Sequence, residues 1–383
     1  MSQSTRPRIL IVIGTLAHVG GAERQGVYLA EYLKSLPNCD VDLLAFADGQ
    51  PIRDAVKHLD INVHVHPYYF RWPKQKRAIS LTKLAARLRF KIRPTVILPF
   101  VGIHSKAIAQ VAKYSGATFT WWNQQDEGRD LHGTAEERRI LNRLSCITSN
   151  STIGRDFLVD TYGLTPDSVL IYNNGTPVPK CQERNDDLRR DLGVDNRQVV
   201  TMVANITPFK DHATLLKAFA EVRLTCCTDP VLLLAGHLKD QAHVHGLKNL
   251  AFDLGLTNDC VRFLGPVDSI NDLLRATDVV AHSSVLEGCP NAVCEAMAFG
   301  LPVVATDIPG CRQALGDNAR QWLAEPSDSS DLARKLIKLL NNESKQFEVG
   351  MANRERILSE FSIEGMNQFF KEQIELGIGY PLS

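Results

Sequence analysis

The sequence predicts an α/β chain made of two doubly wound, Rossmann-like domains facing each other across a deep cleft. Short branched apolar runs alternate with longer amphipathic ones from Arg8 onward, the pattern of a mainly parallel sheet with helices on both faces. A length of 383 residues at 44% hydrophobic and 22% charged is too long for one ordinary core and too apolar for disorder. Composition then breaks at residues 173–187, a stretch with two prolines, many turn formers and no long apolar run. That stretch reads as a linker.

In chain order, the expected strands of the first half are 9–14, 41–46, 61–65, 95–99, 118–122, 146–149 and 169–172. Residues 22–36 form a helix, because Ala22, Gly26, Leu29, Ala30 and Leu33 recur at i, i+4, i+7, i+8 and i+11. After the linker, strands are expected at 199–204, 231–236, 261–264, 279–282, 302–306 and 319–323, with helices at 211–224, 241–254, 270–276, 292–299 and 329–340. Residues 345–378 are helical with a break near Phe361 and Ser362. Phe361, Met366, Phe369 and Phe370 make this end a docking element. The domains are therefore set at 1–176, completed by a helix at about 362–378, and at 188–358. In such sheets ligands sit beyond the carboxyl ends of the strands, so the loops there are where chemistry is sought.

Charge and cysteine content exclude several classes. Forty-three basic residues balance 43 acidic ones, against a globally basic nucleic-acid binder. Nine irregularly spaced cysteines fit neither a disulfide framework nor a structural zinc site and point to a reducing compartment. His64 with His66, and His243 with His245, have no nearby acidic or cysteine ligand, and no metal site is assigned. The longest apolar windows, 9–17 and 96–103, are too short to span a bilayer. The first follows Arg6 and Arg8 as a secretory signal does, but it breaks at His18 and Gly20 without a small-residue cleavage site and reads as a buried strand. The chain is expected to be cytoplasmic.

Three loops carry the candidate chemistry. After the first strand, Gly20 and Gly21 open directly into a helix, which suits close approach of an anion or simply a tight turn. The spacing matches neither the dinucleotide fingerprint nor a P-loop. In the second half, Pro208 and Asp211 can start and cap a helix, while Lys210 is either a surface charge or a cation at a cleft mouth. In the segment 283–306, Glu287 lies just past a strand, Gly288 and Pro290 turn the chain, and Glu295 follows eight residues later in a helix. The two carboxylates can accept from hydroxyls of one bound molecule, or they are incidental. Between them, the amides of Asn291 and Ala292 open a helix where a phosphate is favoured. Gly236 and Gly265 would complete the rim. His18, His104 and His282 stand near strand ends without a local partner and read as packed or solvated.

Between Arg71 and Arg93 lie nine basic residues and no acidic one. Leu81, Leu84, Ala85 and Leu88 stripe residues 78–90 as a basic amphipathic helix. It either packs on the first sheet with a charged outer face or lies on an anionic membrane beside Trp72 and the aromatic run Tyr68, Tyr69 and Phe70. No nucleic-acid recognition module accompanies it.

On these residues the chain resembles the retaining glycosyltransferases of family four, which have the GT-B fold. The Gly-Gly-Ala-Glu-Arg loop at 20–24 carries part of the likeness. The run from Glu287-Gly288 through Glu295-Ala-Met-Ala-x-Gly300-x-Pro302 to Asp307 carries most of it. The resemblance implies a cytoplasmic enzyme, peripheral on the inner face of the cell membrane, that acts in polysaccharide or cell-envelope biosynthesis. Its first domain binds a glycan or lipid-linked glycan acceptor. Its second binds a nucleotide-sugar donor, a UDP-sugar ahead of a GDP-sugar, with no further cofactor. It implies that Glu295 holds the ribose and Glu287 the donor sugar, that Gly288 to Ala292, with Pro290 and Asn291, contact sugar and phosphates, that Lys210 neutralises the diphosphate, and that Gly20 and Gly21 close over it. Phe263, Leu264 and Gly265 would frame the base through backbone contacts, with Gly236 on the rim beside them. Two positions depart from the family. Asn205 replaces a usual arginine, leaving Lys210, Arg24 or Arg312 to supply charge, and a histidine some members use is missing after the fifth strand, so acceptor orientation falls to Asn123 or Asp126. The alternatives are an epimerase or phosphorylase of the same fold, or a catalytically weak sugar-nucleotide-binding scaffold.

Overall fold

The computed structural model describes residues 6–18, 20–100, 102–129, 131–180, 183–226, 228–238 and 240–382. The chain divides into two compact units, one of residues up to Gly175 and from Ile363 onward, the other Thr176–Ser362.

In the first unit, β1 (Arg8–Thr15), β2 (Asp40–Ala47), β3 (Asn62–Val65), β4 (Val96–Pro99), β5 (Phe119–Gln124), β6 (Cys146–Ser149) and β7 (Leu170–Ile171) form a parallel sheet in the order β3-β2-β1-β4-β5-β6-β7. Ile9 to Ile13 are each 0% exposed, as a central strand covered on both faces requires. The helices are α1 (Gly21–Ser35), α2 (Pro51–Val56), α3 (Lys74–Ala86), α4 (Gly102–Ser115), α5 (Ala135–Leu141) and α6 (Thr152–Tyr162). The basic helix α3 continues as a π-helical segment, Arg87–Ile92, that ends on Arg93 in the left-handed region. Its apolar stripe faces the sheet, with Leu84, Leu88 and Ile92 packed among Leu10, Val12, Ile97 and Ala107. Ile79 and Phe90 point outward, 57% and 72% exposed.

The second unit has a parallel sheet of β8 (Val199–Val203), β9 (Val231–Ala235), β10 (Val261–Gly265), β11 (Val279–His282), β12 (Val303–Thr306) and β13 (Leu323–Ala324), in the order β10-β9-β8-β11-β12-β13. Around it lie α7 (Asp186–Asp191), α8 (His212–Thr225), α9 (Gln241–Asp253), α10 (Ile270–Arg275), α11 (Asn291–Ala298), α12 (Pro309–Leu315), α13 (Ser329–Leu340) and α14 (Glu343–Glu360). The strand expected at 319–323 is instead a 3₁₀ helix, Asp317–Trp322, followed by the two-residue β13. Buried Ala319 and Trp322 are three residues apart, the spacing that a 3₁₀ turn brings to one side and a strand does not. Beyond α14 the chain re-enters the first unit as α15 (Ile363–Ile378), whose Met366, Phe370 and Ile374 share a buried cluster with Phe100, Trp121 and Tyr172. Each sheet reverses its strand order once, between β1 and β4 and between β8 and β11. Such reversals open a crevice at the carboxyl ends of the strands. No helix among the described residues is long and apolar enough to cross a membrane.

Candidate functional site

The reversal in the second sheet sets the loop after β8 beside the loop after β11. The first makes a short turn, Pro208–Lys210, and then Asp211, at φ 45°, caps α8 by accepting from the Thr214 amide at 3.2 Å. The Ser283 hydroxyl lies 3.0 and 2.9 Å from the carbonyl oxygens of Lys210 and Asp211, and the Val285 amide donates to the Phe209 carbonyl at 2.9 Å. These bonds tie the two loops together and set the Lys210 ammonium against the Glu287 carboxylate.

Glu287 is gripped on one oxygen. Lys210 Nζ donates to its Oε1, Ser284 Oγ donates to the same atom at 2.9 Å, and His282 Nε2 lies 3.0 Å from it. Only 11% of the Glu287 side chain is exposed. Burial pushes its carboxyl up, but the His282 contact and the Lys210 ammonium outweigh burial and hold it down at about 2. His282 therefore has a partner that its sequence neighbourhood does not show. The available signal was a polar trio, His282-Ser283-Ser284, closing a buried strand five residues ahead of a glutamate.

Neighbouring strands extend the crevice. Asn205 Oδ1 accepts from the His237 amide at 3.1 Å, so the residue at the family's arginine position braces the loop after β9. Gly236, at φ 152°, leaves no room for a Cβ, which would stand 2.1 Å from the Ala204 carbonyl oxygen. Its amide donates to Gly265 at 2.8 Å, bringing Phe263 and Leu264 of β10 into the same row of strand ends. Beyond Glu287, Gly310 at the start of α12 backs the loop, a Cβ there meeting the Gly288 carbonyl oxygen at 2.3 Å. Pro290 caps α11, which Asn291 and Ala292 open and which carries half-buried Glu295 one turn in. Lys210 and Glu287 thus meet directly, Gly288 to Ala292 follow by chain connection, and Asn205, Gly236, Phe263 and Leu264 stand along the adjoining strand ends. Arg312 does not reach in, because its guanidinium is paired with Asp307.

The other site residues lie in the first unit. Gly20 caps α1 and Gly21 begins it. Behind them Glu23 is buried, and burial raises its carboxyl despite hydrogen bonds from its own amide and that of Gly14. Asn123 is not in a loop: β5 runs two residues past the expected end and encloses it. It is 1% exposed, with Oδ1 accepting from Tyr172 Oη at 3.0 Å and Thr148 Oγ1 at 3.2 Å. Asn123 thus ends inside the strand and not in the loop expected to hold it, and its Nδ2 is buried without a hydrogen-bond partner among the described residues. Asp126 lies in the turn that follows, accepting from Gln124 Nε2 at 2.6 Å and the Gly128 amide at 2.8 Å.

Among the described residues no three His, Cys, Asp or Glu side chains are grouped to hold a metal ion. His64 instead contacts Asp42 at 3.1 Å and His66 contacts Ser80 Oγ at 2.9 Å.

Two family models match, Glycosyltransferase Family 4 over residues 19–178 and Glycosyl transferases group 1 over residues 184–356. A D-inositol 3-phosphate glycosyltransferase of Corynebacterium efficiens is 28% identical over 226 residues, 56% of this chain and 52% of that protein. The matched segment thus spans about half the length of that relative. Among solved structures, Anabaena Alr3699/HepE in complex with UDP and glucose superposes with a TM-score of 0.82 at 22% identity, covering 96% of this chain and 99% of that one. A glycosyltransferase from Rickettsia africae superposes with a TM-score of 0.81 at 17% identity, covering 97% and 99%. The family matches run through both units, the fold is that of GT-B, and the chain belongs to the GT-B glycosyltransferases related to group 1 and family 4.

Proposed function

We propose that the chain transfers a sugar from a nucleotide-sugar, with retention at the anomeric carbon, to a glycan or lipid-linked glycan acceptor in polysaccharide or envelope assembly. The supporting observation is the half-buried Lys210–Glu287 pair at the strand-order reversal. All three donors converge on Glu287 Oε1. That leaves Oε2 to accept from a sugar hydroxyl. The Lys210 ammonium, which donates to Oε1, carries three hydrogens and can turn to phosphate oxygens when a diphosphate is bound. The first amides of α11 point their positive end at the same charge. Glu295 takes the ribose hydroxyls, and the strand ends at Gly236, Phe263 and Leu264 frame the base.

In the proposed reaction the bond from the anomeric carbon to the phosphate oxygen breaks. The acceptor oxygen bonds to that carbon on the same face, and its proton passes to the departing phosphate oxygen. Negative charge grows on the diphosphate as the bond lengthens, and fixed amides with Lys210 stabilise it there. The HepE structure with UDP favours a UDP-sugar, with a GDP-sugar second. The unit Thr176–Ser362 takes the donor role and the other unit the acceptor role, with Asn123 or Asp126 orienting the acceptor. The enzyme works at the cytoplasmic face of an acidic membrane, met by residues 71–93.

Binding is tested by thermal shift with UDP-, GDP- and ADP-sugars. Catalysis is tested by the anomer of the product and by Lys210→Ala and Glu287→Ala, each expected to lower kcat/KM by at least about 100-fold. Unchanged transfer in both variants overturns the residue roles, and an inverted product overturns the mechanism. Asn205 at the arginine position favours a second reading, nucleotide-sugar binding without turnover. Donor binding with no product over a broad acceptor panel would establish that reading instead.

A further inference from the structure

The loop after Glu287 holds a thiol that the proposed transfer does not use, and the helix behind it holds a second. Pro290 caps α11, so Cys289 is the residue before the cap and Cys294 is the fourth residue of the helix. At a helix entry these two positions pack on each other and fix the angle at which the chain arrives. Here both are cysteine, and both are free thiols. Cys289 is half-buried and open to small molecules, while Cys294 is 0% exposed. Their side chains meet directly. The Cys294 thiol donates to the Cys289 sulfur, and that contact together with burial holds Cys294 well above the ordinary thiol range. Cys311, in the first turn of α12, is buried as well and engages the Thr306 hydroxyl.

The surroundings decide what would move if the two sulfurs were joined. A disulfide brings them to about 2.05 Å, closer than two thiols in contact can stand. α11 cannot supply the shift, because Val293, Cys294, Ala296, Met297 and Ala298 are each 0% exposed. The loop has to supply it, and it is tightly fitted: a Cβ at Gly310 would stand 2.3 Å from the Gly288 carbonyl oxygen. Gly288 to Ala292 are the residues assigned above to sugar and phosphates.

We propose that Cys289 and Cys294 form a reversible thiol–disulfide site that takes a peroxide as its oxidant and, when closed, draws the loop away from the donor diphosphate. The effect on the donor rests on the function proposed above. In the first step the Cys289 sulfur bonds to one peroxide oxygen, the O–O bond breaks, and the departing hydroxide takes the Cys289 proton as water, leaving a sulfenic acid. In the second the Cys294 sulfur bonds to the Cys289 sulfur, the S–O bond breaks, and the Cys294 proton leaves with that oxygen as a second water. Each sulfur gives up one electron and the peroxide takes both. A dithiol reverses the bridge by exchange.

The experiment treats the reduced full chain with hydrogen peroxide, blocks remaining thiols, and maps bridges by peptide mass before and after dithiothreitol. UDP affinity is measured by calorimetry on the same samples. A Cys289–Cys294 bridge is expected, and with it a loss of UDP affinity of about 10- to 100-fold, the size of one or two charge-assisted contacts. Dithiothreitol should restore binding. Because the donor holds the loop open, UDP should in turn slow bridge formation. Cys294→Ala is expected to bind UDP as the reduced wild type does and to keep that affinity under peroxide. Circular dichroism checks its fold, and the mapping and reversal on the wild type decide the matter even if it is unstable. No bridge, a bridge from Cys289 to Cys311, a mapped bridge with UDP affinity within about twofold, or equal peroxide losses in Cys294→Ala overturns the proposal. The bridge is mapped without ligand, so its failure counts against this proposal alone. A reduced protein that binds no UDP counts against the donor reading, and removes the bridge's effect with it.

Discussion

His282→Ala isolates the part of the site that local sequence does not show. His282 is buried, 2% exposed, with Nε2 3.0 Å from Glu287 Oε1. Its contact is the largest influence holding the Glu287 carboxyl at about 2 against burial. Removing it leaves the burial and the Lys210 ammonium in place, so the carboxyl rises. The acid limb of kcat/KM is expected to move up by roughly 1 to 2 pH units. At pH 7 the carboxylate is still ionised, and the loss there comes from orientation. A hydrogen bond to a buried charged group contributes about 1.5–3 kcal/mol, which corresponds to a fall in kcat/KM of about 10- to 100-fold. His282→Gln keeps a donor without the imidazole charge, so it should recover much of the pH 7 rate while its acid limb stays raised. The assay is transfer rate against pH from 3.5 to 8 for the three proteins, with KM and kcat separated. An alanine variant with the wild-type acid limb and a rate within about twofold would show that His282 does not position Glu287.

Two further outcomes follow from the buried groups. The Glu287 carboxyl falls from an ordinary 4.5 to about 2 on folding, so its contribution to stability is complete above about pH 4.5 and is lost as the pH drops through about 2. Between pH 7 and pH 3 the wild type should lose about 2 kcal/mol more than Glu287→Gln in urea unfolding; parallel losses would mean that the carboxyl is not held down. Asn123→Ala leaves the Tyr172 hydroxyl without this acceptor and Thr148 with only the Trp122 carbonyl at 3.3 Å, and should destabilise the first unit by about 1–3 kcal/mol. A raised acceptor KM at unchanged stability would instead make Asn123 an acceptor contact and no brace of the sheet.

The elements were legible wherever periodicity and burial agree. β1 reads as a strand because Ile9 to Ile13 are apolar on both faces, and the break at Phe361 and Ser362 shows as a change in the helical stripe. Where a short polar segment extends a strand, the pattern fails. Asn123 and Gln124 carry no alternation, yet they pair with Thr148 and Ser149 of β6. Their strand character comes from a partner, which one segment cannot reveal. The 3₁₀ turn before β13 was obscured in the same way, since Trp322 is apolar enough for either assignment.

For the site, the sequence marks which residues end a strand but not which strand ends are neighbours. Lys210 and Glu287 are 77 positions apart, and they meet only because β8 pairs with β11 across the order reversal. That pairing also changes the meaning of nearby residues. Ser283 becomes the clasp between the two loops, Asn205 becomes a brace for the loop after β9, and Arg312 is drawn to Asp307. With Arg312 engaged and no arginine at position 205, Lys210 is left as the cation of this unit set directly against Glu287. A diphosphate bound there would compete with Oε1 for the same ammonium. Donor binding should then loosen one of three contacts on Glu287, while His282 and Ser284 hold the carboxylate in place as Lys210 turns to the phosphates.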